Sequence, residues 1–548
     1  VNGERFKLLR GVSAAPFILF VLALGALTVF QRGREFVRLD CRAGLFLREM
    51  IEGGPSFFPV LYGSPYPDYT AAQTFLSWLL FHVTGRADML TAVFPAAAAG
   101  ALTAALLWVE ARRISRDFAV CSVCMLFLTY GFMWFCRSPL PDVFVMSAAF
   151  GAWMAARRFG EGSKPFLWAA VIVLAELAGF VFRGPLGLVI PAGCVFAHLA
   201  SGLRWRGAVV TGVLALAALA ACLAGLWLCA RAQGGAQLAA EVMEAQIHGR
   251  MGGGGGRPFY YYLINAPAIY ALSAPLALAA LAVNWRTLKA FKTETEISLL
   301  RSLLACCAVI IIGMSVPGTK HIRYILPLAP FAAMAAAFVI TNHSDNRFCH
   351  IVSRVLGVTF RLVPPLLLAA ALLSLPFVRR LSPGLLMPFC VFAAVALSVL
   401  LIDILSSPKR GAAPRSPAQS MLSGALVFVC LNLLVIEPVR DSLGGSRLFA
   451  AEAEMARAGR PLFFYQMGPD GDDLKYLVNV PGKVPASYAF SAEDIKTAPA
   501  DAVFVGGEKD FAALPGELKK RLQIIAKGRV SAKPYFALIV QRDAPDGK

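Results

Sequence analysis

The chain has 548 residues, 58% of them hydrophobic and 16% charged, with a mean hydropathy of +0.64. A water-soluble domain carries about 45–50% apolar and about 25% charged residues, so this composition excludes a soluble globular fold. The formal net charge of +19 does not indicate nucleic acid, because the cations are scattered between apolar runs, where they anchor loops and meet anionic lipid or phosphate.

A bilayer span needs about 20 predominantly apolar residues. In chain order, thirteen runs approach that length: residues 11–30, 88–111, 117–135, 141–156, 166–182, 184–200, 207–230, 260–283, 298–316, 322–341, 357–378, 384–404 and 419–437. The first run lacks a small-residue cleavage site behind it and reads as a retained span. The expected fold is therefore mostly α: a polytopic membrane bundle over residues 1–438, followed by a small soluble α/β domain over 439–548. The tail alternates β-like runs ("PLFFYQM", "DAVFVGG", "YFALIVQ") with helical pieces such as "AALPGELKKRLQIIA", and it carries no catalytic motif. No cysteine follows Pro438, which argues against a disulfide framework, and Cys121 and Cys124 fall inside a span as a buried structural pair.

Two loops are unusual. Residues 31–87 contain "REFVRLDCRAGLFLREM", which sets Asp40 among Arg38, Arg42 and Arg48, and then "TAAQTFLSWLLFHVTG", too short to span comfortably and expected along the membrane surface. The stretch "MGGGGGRPFYYYL" has no strand before its glycines, so a mobile lid fits it better than a phosphate cradle.

Orientation follows from lysine and arginine in the short loops. With Arg5, Lys7 and Arg10 in the cytoplasm, every even-numbered span ends in a basic loop, from "EARRISRD" to "SSPKRGAAPR". The tail is then external, which in a bacterial inner membrane means periplasmic. The ionisable residues at span edges gather on that external side: Asp40, Asp68, Arg137, Asp142, Arg183, His248, Arg250, Arg257, Lys320, His321 and Arg323. Ionisable groups at membrane depth are costly and point to function. An acid that can take a proton, with several cations beside a lipid surface, suits transfer from a phosphate-linked lipid donor.

The segments "DCRAGLFLREM", "RSPLPD", "FRGPLGLVIP", "RPFYYYL" and "GTKHIRYILPLAP" resemble, in order and spacing, those of lipid-donor glycosyltransferases of the GT-C fold. The resemblance is greatest to the aminoarabinose transferase and protein O-mannosyltransferase relatives and covers Val1 to about Pro330. It implies a polyprenyl-phosphate sugar donor, a lipid, glycan or protein acceptor, inversion at the sugar carbon, and Asp40 as the catalytic base. Asp142 is the second catalytic candidate. The chain departs from the family pattern at Cys41 (usually Glu), in "YPDYTAA" (where a phosphate-binding lysine is missing) and at Gly255 (usually His). Those departures argue against a metal site or other cofactor and shift the donor phosphate onto Arg42, Arg257 and Lys320, with Arg183. Asp68, Tyr261, His321 and Arg137 are candidates for acceptor or sugar contacts. Two rival readings are a transporter or lipid flippase, disfavoured by the absence of an internal repeat, and a catalytically inactive relative.

Overall fold

The computed structural model describes residues 14–36, 40–162, 164–249, 256–289, 295–341, 346–381, 383–406, 416–469, 471–480, 482 and 484–540. Arg38, Arg250, the His248 side chain and residues 251–255, on which the lid expectation rests, lie outside them.

Every one of the thirteen apolar runs is helical. The helices are α1 (Ala15–Thr28), α2 (Asp40–Gly53), α3 (Ala72–Thr84), α4 (Met89–Ala111), α5 (Arg116–Leu128), α6 (Tyr130–Cys136), α7 (Asp142–Gly160), α8 (Pro165–Arg183) and α9 (Pro185–Ser201). They continue with α10 (Trp205–Met243), α11 (Tyr261–Ile269), α12 (Ser273–Lys289), α13 (Thr295–Ser315), α14 (Leu328–Ile340), α15 (Arg347–Leu381), α16 (Leu386–Leu405), α17 (Pro417–Leu431) and α18 (Glu437–Ser442). Among the described residues seven helices are long and apolar enough to cross a membrane, or nine if each bent pair is one span. Helices suit this setting because they satisfy their backbone groups internally, where lipid offers no hydrogen-bond partner.

Two spans are broken. The α5–α6 pair bends by 67° and the α11–α12 pair by 114°. The breaks meet inside the bundle, where the Thr129 hydroxyl donates to the Ser273 hydroxyl at 2.8 Å. Irregular backbone at depth is thus enclosed by protein. Helices α8 and α9 approach closely: a Cβ on Gly179 would stand 1.9 Å from the carbonyl oxygen of Gly187. Small residues permit this contact, as is common between membrane helices.

The first long loop is largely ordered into α2, a hairpin of β1 (Val60–Leu61) and β2 (Ser64–Pro65), and α3. The loop expected at 231–259 is also partly helical, because α10 continues to Met243 across a kink at Gly234 and Gly235.

After Gly445 the chain forms α19 (Ser446–Arg457), α20 (Asp473–Leu477) and a five-stranded sheet. The strands are β3 (Leu462–Tyr465), β4 (Ala486–Ala489), β5 (Val503–Gly507), β6 (Leu522–Val530) and β7 (Lys533–Val540), in the order β4-β3-β5-β7-β6. Strand β3 runs parallel to β4 and β5, and β7 runs antiparallel to β5 and β6. The run "AALPGELKKRLQIIA" differs from expectation: apart from Ala512, which ends the preceding helix, only Gly516–Lys520 is helical, and the residues from Leu522 enter β6, where pairing with β7 overrides helix propensity. Tyr465, Phe504, Phe511 and Leu538 make a small core on one side of the sheet. Phe449, Phe464, Tyr476 and Leu477 instead join the core that contains Leu45 and Phe46 of α2. The tail domain therefore packs directly on the first loop.

Candidate active site

The site is assembled from the start of α2, the "YPDY" turn before α3, the Pro139–Pro141 turn, the end of α8 and the segment before α14. Asp142 opens α7, where its charge complements the helix N-terminus. Its Oδ1 accepts a hydrogen bond from Arg183 Nε at 3.2 Å, and its Oδ2 lies 3.4 Å from Arg323 Nε. All three residues are buried, at 3–7% exposure. Arg183 stands at the C-terminal end of α8, and its guanidinium lies between two rings, 5.0 Å from the Tyr69 centroid and 5.2 Å from that of Tyr324. Among the described residues Arg183 Nη2 is buried without a hydrogen-bond partner.

The aromatic and cationic groups continue in both directions. The Tyr69 ring stacks on Tyr66 at 5.8 Å, and the Arg42 guanidinium lies 5.0 Å from the Tyr66 centroid. Phe46, one turn beyond Arg42 on α2, packs on both tyrosines. On the other side the Tyr324 ring meets His321 edge-on at 5.1 Å, and the His321 carbonyl accepts from the Tyr262 hydroxyl at 3.2 Å. Burial, followed by the charges of Arg323 and Arg257, pushes the His321 imidazole down to about 4, so it is neutral near pH 7.

Arg257 and Lys320 form a second group. Arg257 lies over the Tyr261 ring at 4.6 Å and donates to the Tyr261 hydroxyl at 2.5 Å. Lys320 is buried, and its ammonium donates to the carbonyls of Arg257 (3.0 Å) and Pro317 (2.5 Å). Lys320 thereby ties the start of the Arg257 segment to the turn before α14.

Arg42 lines a cavity with Phe46, Tyr69, Gln73, Thr74 and Pro141, and neither Arg257 nor Lys320 lines it. Tyr66, Tyr69, Arg183, Tyr324 and His321 follow Arg42 in a run of ring and cation contacts.

Arg137 does not pair with Asp142, although five residues separate them in sequence. Its Nε and Nη2 donate to Glu437, and Nη1 and Nη2 donate to the carbonyls of Ala26 and Val29. These bonds occupy a fully buried guanidinium in joining α1, α6 and α18. Asp40 is 4% exposed at the first position of α2, with Arg34 Nη2 3.9 Å from its Oδ2. Asp68 lies within electrostatic reach of Arg183, and its carbonyl accepts from Gln246 Nε2 at 2.8 Å. Cys41 points into the core, with its thiol on the Phe36 carbonyl, and burial pushes that thiol up. Among the described residues no three His, Cys, Asp or Glu side chains gather in metal-binding geometry.

Sequence reasoning missed the central place of Arg323 and the roles of Tyr66, Tyr69, Gln73 and Tyr324. The i, i+3 tyrosines of "YPDY" beside two loop cations were the available signal.

An apolar groove of about 500 Å³ runs from Tyr262 between α11, α12, α13 and α14 to Trp285 and Arg301. The multispan bundle with its α/β tail has the GT-C fold. The particular likeness is to ArnT from Cupriavidus metallidurans. The structure of that protein bound to undecaprenyl phosphate matches with a TM-score of 0.65 and 15% identity, over 96% of this chain and 98% of the other. Its apo structure matches with a TM-score of 0.66 and 16% identity over the same shares. At this identity the likeness shows the fold. No family model matches the sequence, and no curated protein matches it.

Proposed function

We propose that this chain is a membrane glycosyltransferase that moves a sugar from a polyprenyl-phosphate donor to a lipid, glycan or protein acceptor. The observation that carries the reading is Arg183: a buried guanidinium held between Tyr69 and Tyr324, tied to Asp142, with one nitrogen lacking a hydrogen-bond partner among the described residues. A desolvated cation fixed in this way is suited to an anion that gains charge during reaction. The apolar groove beginning at Tyr262 gives such an anion's hydrocarbon tail a place beside it. The ArnT structure with undecaprenyl phosphate supports the donor class through the shared fold.

In this reading Arg183 and Arg257 hold the donor phosphate, while Lys320 fixes the Arg257 segment. Asp142 keeps Arg183 and Arg323 in place. Asp40 takes the proton of the acceptor hydroxyl or orients an acceptor phosphate. The acceptor oxygen forms a bond to the anomeric carbon from the face opposite the phosphate, inverting it. The bond from that carbon to the phosphate oxygen breaks, and its electron pair leaves with the lipid phosphate. No nucleotide takes part. The protein sits in a bacterial inner membrane with its N-terminus cytoplasmic and its tail periplasmic.

The test is incubation of the purified protein with a panel of polyprenyl-phosphate sugars and a lipid extract as acceptor, with free lipid phosphate as the readout. Release from at least one donor is expected. No release from any donor, with the fold intact, would favour the inactive reading. Vectorial movement of the intact lipid without release would favour the flippase.

A further inference from the structure

Helices α3, α4, α7 and α8 wall a second apolar groove, formed by other helices than the one that begins at Tyr262. It has a volume of about 900 Å³, and Leu102 and Leu106 of α4, Gly151 of α7 and Ala175 of α8 line it. Its polar lining residue, Ser147, already spends its hydroxyl on the Ala99 carbonyl at 2.7 Å. Such a groove takes hydrocarbon.

One end lies at the level of the candidate active site, because the lining residues Phe144 and Phe182, stacked at 3.8 Å, are close in sequence to Asp142 and Arg183. The other end leads to a cluster of arginines. Helix faces repeat every three to four residues, so Glu110 and Arg113 continue the α4 face of Leu102 and Leu106, and Arg158 continues the α7 face of Gly151. From Asp142 to Arg158 the α7 axis rises about 24 Å, against a hydrocarbon layer of about 30 Å. The cluster therefore stands near the membrane surface opposite the site. Phe159, Phe166 and Trp205, all exposed, mark that boundary.

The cluster is preorganised around a buried acid. Glu110 is 1% exposed, and both Arg157 Nη1 and Arg158 Nη2 donate to its carboxylate, the second at 3.3 Å. Arg113 Nη1 donates to Glu161 at 2.7 Å and lies 3.6 Å from Glu110. Arg204 crosses the end of α7, with its Nη1 2.6 Å from where a Cβ on Gly160 would stand. Four guanidiniums thus share two carboxylates, and among the described residues no further carboxylate pairs with them. Arg158 Nε is buried without a hydrogen-bond partner among the described residues, while the Arg113 side chain is partly exposed and open to a ligand. A cationic excess at the head of a hydrocarbon groove matches an anionic lipid.

We infer that the groove between α4, α7 and α8 is a site for an anionic phospholipid. Its phosphodiester takes Arg113 and Arg158, and its acyl chains lie along Leu106 and Gly151 toward Ala175. The lipid belongs to the leaflet opposite the active site, the cytoplasmic one in the orientation proposed above. The site stands independently of the reaction carried out at Arg183.

The experiment is native mass spectrometry of the full-length protein, titrated in detergent with phosphatidylglycerol or with phosphatidylcholine of the same acyl chains. Two arginines at about fivefold each give a preference for phosphatidylglycerol of about 20- to 30-fold. Arg113→Gln combined with Arg158→Gln should abolish that preference, with Arg157 left to hold Glu110. Gly151→Leu adds a side chain where nothing stands within 4 Å of a Cβ, so it obstructs the groove without a clash at that atom. It should weaken binding of both lipids and leave the preference in place. Equal binding of the two lipids to the wild type, or a preference unchanged by the double substitution, would overturn the inference. So would lipid binding untouched by Gly151→Leu. A preference abolished by Arg183→Gln, but not by the double substitution, would put the headgroup at the active-site end and overturn it as well.

Discussion

Asp142 shows why a carboxylate inside a site need not be its base. Two guanidiniums, Arg183 and Arg323, already face it, so its charge is committed to holding them in place. Removing a buried partner leaves an uncompensated charge, which costs about 3–5 kcal/mol. Asp142→Asn should therefore lower thermal stability as well as turnover, a paired loss visible in melting and rate measurements. Asp40→Asn should behave differently: turnover falls by about 10²–10⁴-fold with lipid-phosphate binding nearly unchanged. Full activity in Asp40→Asn would remove Asp40 as the base. His321 supplies a pH signature. Its folded imidazole titrates at about 4, against 6.5 for the ordinary side chain. Between those values the unfolded chain binds the proton and the folded chain does not, so stability falls as pH drops through that window. His321→Gln should flatten that part of the stability curve. The position of Asp142 at the start of an apolar run was legible in the sequence, but its partners were not. Arg137 is five residues away and bonds Glu437, while Arg183 and Arg323, much farther along the chain, arrive through helix packing.

At the level of elements, the placement of Arg183 depends on the contact of α8 with α9. Gly179 and Gly187 pack backbone to backbone, and Gly184, with φ of +64°, turns the chain between the two helices. A methyl group on Gly187 would stand 1.8 Å from the Gly179 carbonyl oxygen. Gly187→Ala must therefore separate the helices, at a cost of about 1–3 kcal/mol, and shift Arg183 from between its two tyrosines. A lower melting temperature together with weaker lipid-phosphate binding is the expected outcome, read by thermal unfolding and titration. The helices themselves were legible because apolar runs of this length have few alternatives in a bilayer. The breaks at Thr129 and at Tyr270–Leu272 were not, because nothing in a local apolar pattern distinguishes a bent span from a straight one.

Across the whole molecule, the α/β tail holds the first loop in place. Arg48 donates to the carbonyls of Leu477, Val478 and Gly482 at 2.8–3.0 Å, and the Tyr62 hydroxyl donates to the fully buried Asp473 at 2.7 Å. The Glu35 carboxylate accepts from the backbone N–H groups of Ser446 and Arg447. Helix α2, which carries Asp40 and Arg42, is thus clamped from the tail side. The charged residues of that helix divide by role: Asp40 is buried at its start, Arg42 lines a cavity, and Arg48 docks the tail domain. Arg48→Ala should accelerate hydrogen exchange across residues 40–53 and cost about 1.5–3 kcal/mol, with α14 unaffected. The existence of an α/β tail was legible in its composition. Its grip on the loop was not, because it runs through backbone carbonyls that any sequence provides. The proposed reaction requires that the buried cations receive a lipid phosphate. It is tested most directly by titrating the purified protein with polyprenyl phosphate and with the corresponding polyprenol, for the wild type and for Arg257→Ala. The wild type should prefer the phosphate by tens- to hundreds-fold, the equivalent of about 1.5–3 kcal/mol, and Arg257→Ala should lose most of that preference. Equal affinity for the phosphate and the alcohol in the wild type would contradict the account.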